Sequence, residues 1–177
     1  MSAKIACASL LAILLNAGTV SAQQYRGGSH KIPSAQGTLV VNSGYVNNLN
    51  AHTFHVYSFM LMPRDAGDGW QQVPLVESDA NPDMKFVVTT ANTADFALRD
   101  AKVSAIAGKL VLQIAQLKYK DTPYDKNTSI EVRRYDLRQT EDEERWVFAH
   151  VSSRNVGAKF TVEQALNTPG ALPVKKK

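Results

Sequence analysis

The stretch 52–62, His-Thr-Phe-His-Val-Tyr-Ser-Phe-Met-Leu-Met, constrains the fold more than any other part of the chain. Read with the two-residue period of a strand, Phe54, Val56 and Met60 fall on one face and Tyr57, Phe59 and Leu61 on the other. A strand carrying large apolar side chains on both faces belongs in the middle of a packed structure. Strand periodicity recurs at 38–45, 71–76, 85–90, 95–104, 109–117, 129–137 and 145–152. Pro63 and the run Asp65-Ala66-Gly67-Asp68-Gly69 form a turn-rich break, Ala107-Gly108 fits a hairpin turn, and Glu141-Asp142-Glu143-Glu144 reads as a solvated turn. Residues 101–117 are rich in Ala and Leu, but Gly108 interrupts them and Leu110, Leu112 and Ile114 alternate, which selects strand over helix.

In 129–137 the apolar phase slips from Ile130 and Val132 to Tyr135 and Leu137. One extra residue near Arg133-Arg134 would produce that, so a bulge is expected there. Thr161-Val162-Glu163-Gln164 reads as a capping box that opens a helix, and Pro169-Gly170 stops it after about two turns. The expected fold is therefore all-β: an antiparallel β-sandwich of about eight strands with one short C-terminal helix.

A secretory signal is expected ahead of this domain. Lys4 supplies a positive start, an apolar core follows over 5–15, and the small-residue site Val20-Ser21-Ala22 places cleavage after Ala22. The apolar core is about half the 20 or so residues that a membrane span requires, and no second run of spanning length follows. No membrane insertion is expected once the signal is removed. Removing 22 of the 177 residues leaves 155, ordinary for one domain. The expected division is signal 1–22, a loose lead-in at 23–37, one domain at 38–170 and a basic tail at 171–177. The single cysteine, Cys7, leaves with the signal, so the mature chain forms no disulfide in an oxidising compartment that would permit one. Losing Lys4 takes the formal charge from +4 to +3. Three of those positive charges are the terminal Lys175-Lys176-Lys177, and no basic stripe interleaves with aromatics, which argues against a nucleic-acid partner.

Searches for catalytic chemistry return little. His52 and His55 are three apart and face opposite sides of a strand, so they read as hydrogen-bonding histidines and not as a metal pair. Asp65 and Asp68 lack the alternating ligands and closing Glu of a calcium loop. Neither a Gly-x-Ser-x-Gly elbow nor a Ser-x-x-Lys acylation motif is present, and Ser78-Asp79-Ala80-Asn81 is only superficially like a Ser-Asp-Asn element. No catalytic residue, metal or cofactor is assigned. A binding or interaction module is the expected class.

The block Asn48-Leu49-Asn50-Ala51-His52-Thr53-Phe54-His55-Val56-Tyr57-Ser58-Phe59 resembles the carbapenem self-resistance protein CarG family, matching its pattern at Asn50, Ala51, His52, Phe54, Val56, Tyr57 and Phe59. Gly69-Trp70 with Val73-Pro74 is similar to the family's next block, and Ala94-Asp95 with Leu98 and Asp100 to a third. Val162-Glu163-Gln164-Ala165 is a weaker fourth. Where relatives carry Cys after Ala-Asp and near the C-terminal helix, this chain has Phe96 and a cysteine-free tail, so it is a divergent member. The resemblance implies a periplasmic protein that shields the cell from a carbapenem by binding it without hydrolysis.

Such a ligand, a small β-lactam, offers an ionised carboxylate and a strained carbonyl. Its site needs a cationic partner, a donor and an apolar wall. Arg133 or Arg134 is the candidate for the first, Asn50 or His52 for the second, and Trp70 or Trp146 for the third, with Tyr57 beside them. Each residue has a structural alternative: strand-surface charge for the arginines, core for Tyr57 and the tryptophans, a turn into the strand for Asn50. The competing functions are a structural or protein-interaction module and, more remotely, a hydrolase with an unfamiliar site. A homodimer would suit the binding and interaction readings, because open sheet edges must be paired or covered.

Overall fold

The computed structural model describes residues 24–50, 52–64, 69–78, 83–140, 145–157 and 159–168. The alternating stretches become strands: β1 (Gly28–Ser34), β2 (Gly37–Val46), β3 (Phe54–Pro63), β4 (Gln71–Gln72), β5 (Leu75–Val76), β6 (Val87–Thr89), β7 (Ala91–Asn92), β8 (Ala97–Ile106), β9 (Lys109–Lys118), β10 (Ser129–Gln139) and β11 (Trp146–Gly157). Helix α1 (Val162–Asn167) follows. One sheet runs β1-β2-β3-β4, with β6 also paired to β3, and the other runs β5-β11-β10-β9-β8-β7. All pairings are antiparallel except β5 on β11. The all-β sandwich expected from periodicity is the fold observed.

The strand count differs from the expected eight because short pieces escape a periodicity reading. The stretch 71–76 divides at Val73-Pro74: β4 pairs with β3 in the first sheet, and β5 crosses to β11 in the second. Pro74, with no N–H to give, joins through its carbonyl, which accepts the Phe148 N–H at 2.8 Å.

The loose lead-in expected at 23–37 is a misreading of residues 24–37. Gly28 to Ser34 pair residue by residue with β2, and Tyr25 is buried in the main core. Its hydroxyl takes the place of a missing neighbour strand on β8. It accepts the Val103 N–H at 2.8 Å and donates to the Val103 carbonyl at 3.3 Å.

The main core fills the space between the sheets. Leu39, Val41, Tyr57, Phe59 and Leu61 from the first face Val103, Leu110, Leu112, Tyr135, Leu137 and Phe148 from the second, with Phe59 and Phe148 edge to face at 5.4 Å. One end of the sandwich is tied shut. Gln36, in the turn between β1 and β2, donates to the Leu137 carbonyl at 3.0 Å and accepts the Leu110 N–H at 2.8 Å. Ala35 N–H donates to the Gly108 carbonyl in the predicted hairpin, where Ala107 and Gly108 both take positive φ.

The phase slip in β10 has a different cause from the one expected. Ile130 and Val132 lie under α1 with Ala115, Val162, Ala165 and Leu166, whereas Tyr135 and Leu137 lie in the inter-sheet core. The strand changes which face it buries along its length, with no residue inserted. A bulge does sit there, but on the facing strand: Arg134 pairs with Ser152 and Tyr135 with His150, leaving Val151 over. The capping box forms as expected, Thr161 Oγ1 accepting the Gln164 N–H at 3.1 Å and Gln164 Oε1 accepting the Thr161 N–H at 2.9 Å. Because α1 covers the outer face of β8–β10 at this end, the inner face there is free to be polar.

Candidate functional site

Register across the second sheet sets out its inner face in rows. Toward the tied end, Val103, Leu112, Tyr135 and His150 stand side by side. The next row is Ala101, Ile114, Arg133 and Ser153, and the last is Arg99, Gln116, Glu131 and Asn155. The face therefore passes from core to polar within two rows. Arg99 and Arg133 stand at inward positions that are apolar elsewhere on the same strands.

Among the described residues, one carboxylate gathers two cations at this end. Glu77, just past β5, accepts the Tyr135 hydroxyl at 3.0 Å, pairs with the Arg133 guanidinium and lies 3.5 Å from the Lys85 ammonium. Burial alone would raise the Glu77 carboxyl, but the Tyr135 hydroxyl and Arg133 outweigh it and hold the group below its ordinary value. Burial keeps the Tyr135 hydroxyl well above the usual tyrosine range, so it remains a donor at neutral pH. The Arg133 guanidinium also lies 5.5 Å from the Tyr135 ring centroid, within cation–π range. His150 packs edge-on to that ring at 5.4 Å, its Nε2 3.0 Å from Ser153 Oγ.

Arg99 completes the group. Burial first, and the charge of Arg133 besides, lower its affinity for its proton, while Tyr135 and Glu77 act the other way. Its Nε is buried and has no hydrogen-bond partner among the described residues. Glu131, in the same row, lies two strand spacings away, roughly 10 Å, and pairs with Lys118 at 3.0 Å. Among the described residues Lys85 and Arg133 thus share Glu77, and Arg99 stands on the same inner face. Val76, Glu77, Ser78, Arg138, Ala149, His150 and Val151 line an open cleft of about 410 Å³ that reaches Glu77 and His150 but neither Arg99 nor Arg133.

The residues singled out from the sequence do not converge. Arg133 belongs to the cluster, but Arg134 points to the opposite face and holds Asp136 through two bonds, 2.7 and 3.2 Å. Tyr57 is fully buried and donates to Asp100 at 2.9 Å, so it is core. Trp146 packs against the core and pairs with Gln139, six residues along β10 from Arg133 and so roughly 20 Å away. Trp70 is exposed just before β4, on the other sheet. Asn50 holds the turn between β2 and β3, its Oδ1 accepting the His52 N–H at 2.8 Å, and His52 is exposed in that turn. Asp65, Asp68, Asp79 and 141–144 lie outside the described residues.

His55 is buried, as one half of a pair that the sequence did not disclose. Ser43 Oγ lies 2.8 Å from its Nδ1. The Ser43 hydroxyl also reaches the Tyr25 carbonyl at 3.2 Å, so its single proton serves that carbonyl or the imidazole. Burial lowers the His55 pKa, in keeping with a neutral ring. Glu77, Arg99, Lys85, Tyr135 and His150 also went unread. The signal that marks the first two is a charge at the inward phase of an apolar run: Arg99 before Ala101 and Val103, Glu77 after Leu75.

No protein-family model matches this chain, and no curated protein matches it in sequence. Among solved structures, the crystal structure of CarG resembles it with a TM-score of 0.59 and 15% identity, over 77% of this chain and 87% of that one. The two share a fold.

Proposed function

We propose that the chain is an exported, periplasmic protein of the CarG family that protects against a carbapenem by binding it without hydrolysis. The observation that carries this is the likeness of fold to CarG, in a chain whose residues 48–59 independently resemble the carbapenem self-resistance family. The group around Glu77 supports it in chemical terms. A carbapenem carries a carboxylate ionised at neutral pH, and the Arg133 and Lys85 cations that meet at Glu77, with Arg99 on the same face, are suited to receive it.

The test is expression of the gene with its signal in a sensitive host. Tolerance to a simple carbapenem should rise in proportion to the amount of protein and saturate as drug outnumbers sites. Purified protein should leave the lactam absorbance intact over many equivalents. Loss of absorbance linear in time at fixed protein would establish turnover and defeat the binding mechanism. Absence of tolerance in a host shown to export the protein would favour an interaction module. That second reading has one observation of its own: Met62 and Val87 on the outer face of the first sheet, and Trp70 just before β4, are large apolar side chains left exposed.

A further inference from the structure

We propose that the Glu77 group is a carboxylate-binding site in which an organic carboxylate bridges the Arg99 and Arg133 guanidiniums, with Glu77 as the internal anion it displaces. This rests on the ligand-binding reading above for the lactam ring, but not for the carboxylate. Three features converge on it.

The first is an imbalance of charge. Arg133 and Lys85 pair with Glu77, Arg99 stands on the same inner face, and among the described residues Glu131 is held by Lys118 and Asp136 by Arg134. A guanidinium withdrawn from water needs an anion or several acceptors to offset the lost hydration, and a second guanidinium beside it raises that need. The second is the buried Arg99 Nε, which has no hydrogen-bond partner among the described residues. Guanidinium forks match carboxylate oxygens in pairs, and Arg99 holds an open donor on a buried atom. The third is competition already built in. Arg133 is paired with Glu77, and the Tyr135 hydroxyl and Lys85 hold the same carboxylate. If Glu77 swings toward Lys85, Arg133 is released to an incoming carboxylate, and neither anion is left without a cation. The step exchanges ion pairs and makes or breaks no covalent bond.

The arginine side-chain Nε–H resonances of the purified protein provide the test, at constant ionic strength, with sodium acetate and sodium benzoate as probes and benzamide as the uncharged control. Acetate and benzoate should shift the Arg99 and Arg133 signals saturably, and benzamide should not. Glu77→Gln should tighten acetate binding by about tenfold, because one charged competitor is removed. Arg99→Gln should weaken it by a similar factor. The wild-type titration stands without either variant, so a misfolded variant does not decide the matter. Shifts that grow linearly and equally with chloride, or equal shifts with benzamide, would overturn the site. Carbapenem tolerance with no carboxylate response at these arginines would also overturn it while leaving the protective function standing. A saturable carboxylate response without tolerance would uphold the site and remove the carbapenem.

Discussion

Asp100 offers the sharpest quantitative test of this packing. Its side chain is buried, with 1% of its surface exposed. Tyr57 donates to Oδ1 at 2.9 Å, Ala101 N–H to Oδ1 at 2.7 Å and Gln24 N–H to Oδ2 at 2.9 Å. Burial wins over these donors and lifts the carboxyl from 3.8 to about 6. Folding therefore favours its protonated form. Asp100 contributes stability that is fully present below the unfolded value of 3.8 and is lost as pH rises through about 6. The full shift corresponds to about 3 kcal/mol, of which about 2 kcal/mol falls between pH 4 and neutrality. His55 and Glu77 act in the opposite sense, since burial holds His55 below its ordinary value and its partners hold Glu77 below its own. Acidification costs stability through both. The quantity to measure is therefore the difference between wild type and Asp100→Asn, in which the other groups cancel. Urea unfolding of both proteins from pH 4 to pH 7.5 gives it. Relative to wild type, the variant should be more favoured at pH 7.5 than at pH 4 by about 2 kcal/mol, whatever the fixed cost of facing an amide to the Gln24 N–H. A difference that is flat across this range, or of opposite slope, would refute the burial argument and with it the placement of residues 24 and 25 over β8.

Two further outcomes follow from backbone and processing. Gly37 has φ +137, and a Cβ there would lie 2.2 Å from the Met62 carbonyl oxygen, so Gly37→Ala should lower unfolding stability by at least about 2 kcal/mol; a loss within measurement error would contradict the close approach of the two turns. Protein recovered from the periplasm should have a mass corresponding to a chain beginning at Gln23 or within a residue or two of it; full-length protein retained on membranes would contradict export.

Most of the fold was legible because two periodicities and one cap carry it. The inward set Tyr57, Phe59 and Leu61, the hairpin at Ala107-Gly108 and the Thr161–Gln164 box are each a local rule that tertiary structure obeys. What failed was wherever one segment serves two environments. In β10 the slip from Val132 to Tyr135 is the same string of letters whether a residue is inserted or the buried face is exchanged. Only knowing that α1 covers the far face separates the two. Likewise Gly27-Gly28 and Pro33 read as loop signals, yet Pro33 falls in an edge strand, where a missing N–H leaves no ladder bond unmade on the open side.

The site was less legible than the fold, because its members come from five places in the chain: the end of β5, Lys85 before β6, then β8, β10 and β11. Motif searches look for chemistry at short spacing, and Glu77, Arg99, Arg133 and His150 have none. The block resembling CarG did not supply it either, since Tyr57 and Phe59 pack in the core and Asn50 and His52 sit in the turn before β3. That block transmits the fold. The letters that mark the site are those that break the strand rule. Arg99 shares a face with Ala101 and Val103, and Arg133 shares one with Tyr135 and Leu137. A guanidinium at an inward position costs stability unless something negative meets it. In a sandwich held by packing, two such positions on one inner face, the second paired with an internal carboxylate, are the place where the sequence departs from what folding alone requires. It is there that a ligand's charge would do what the fold leaves undone.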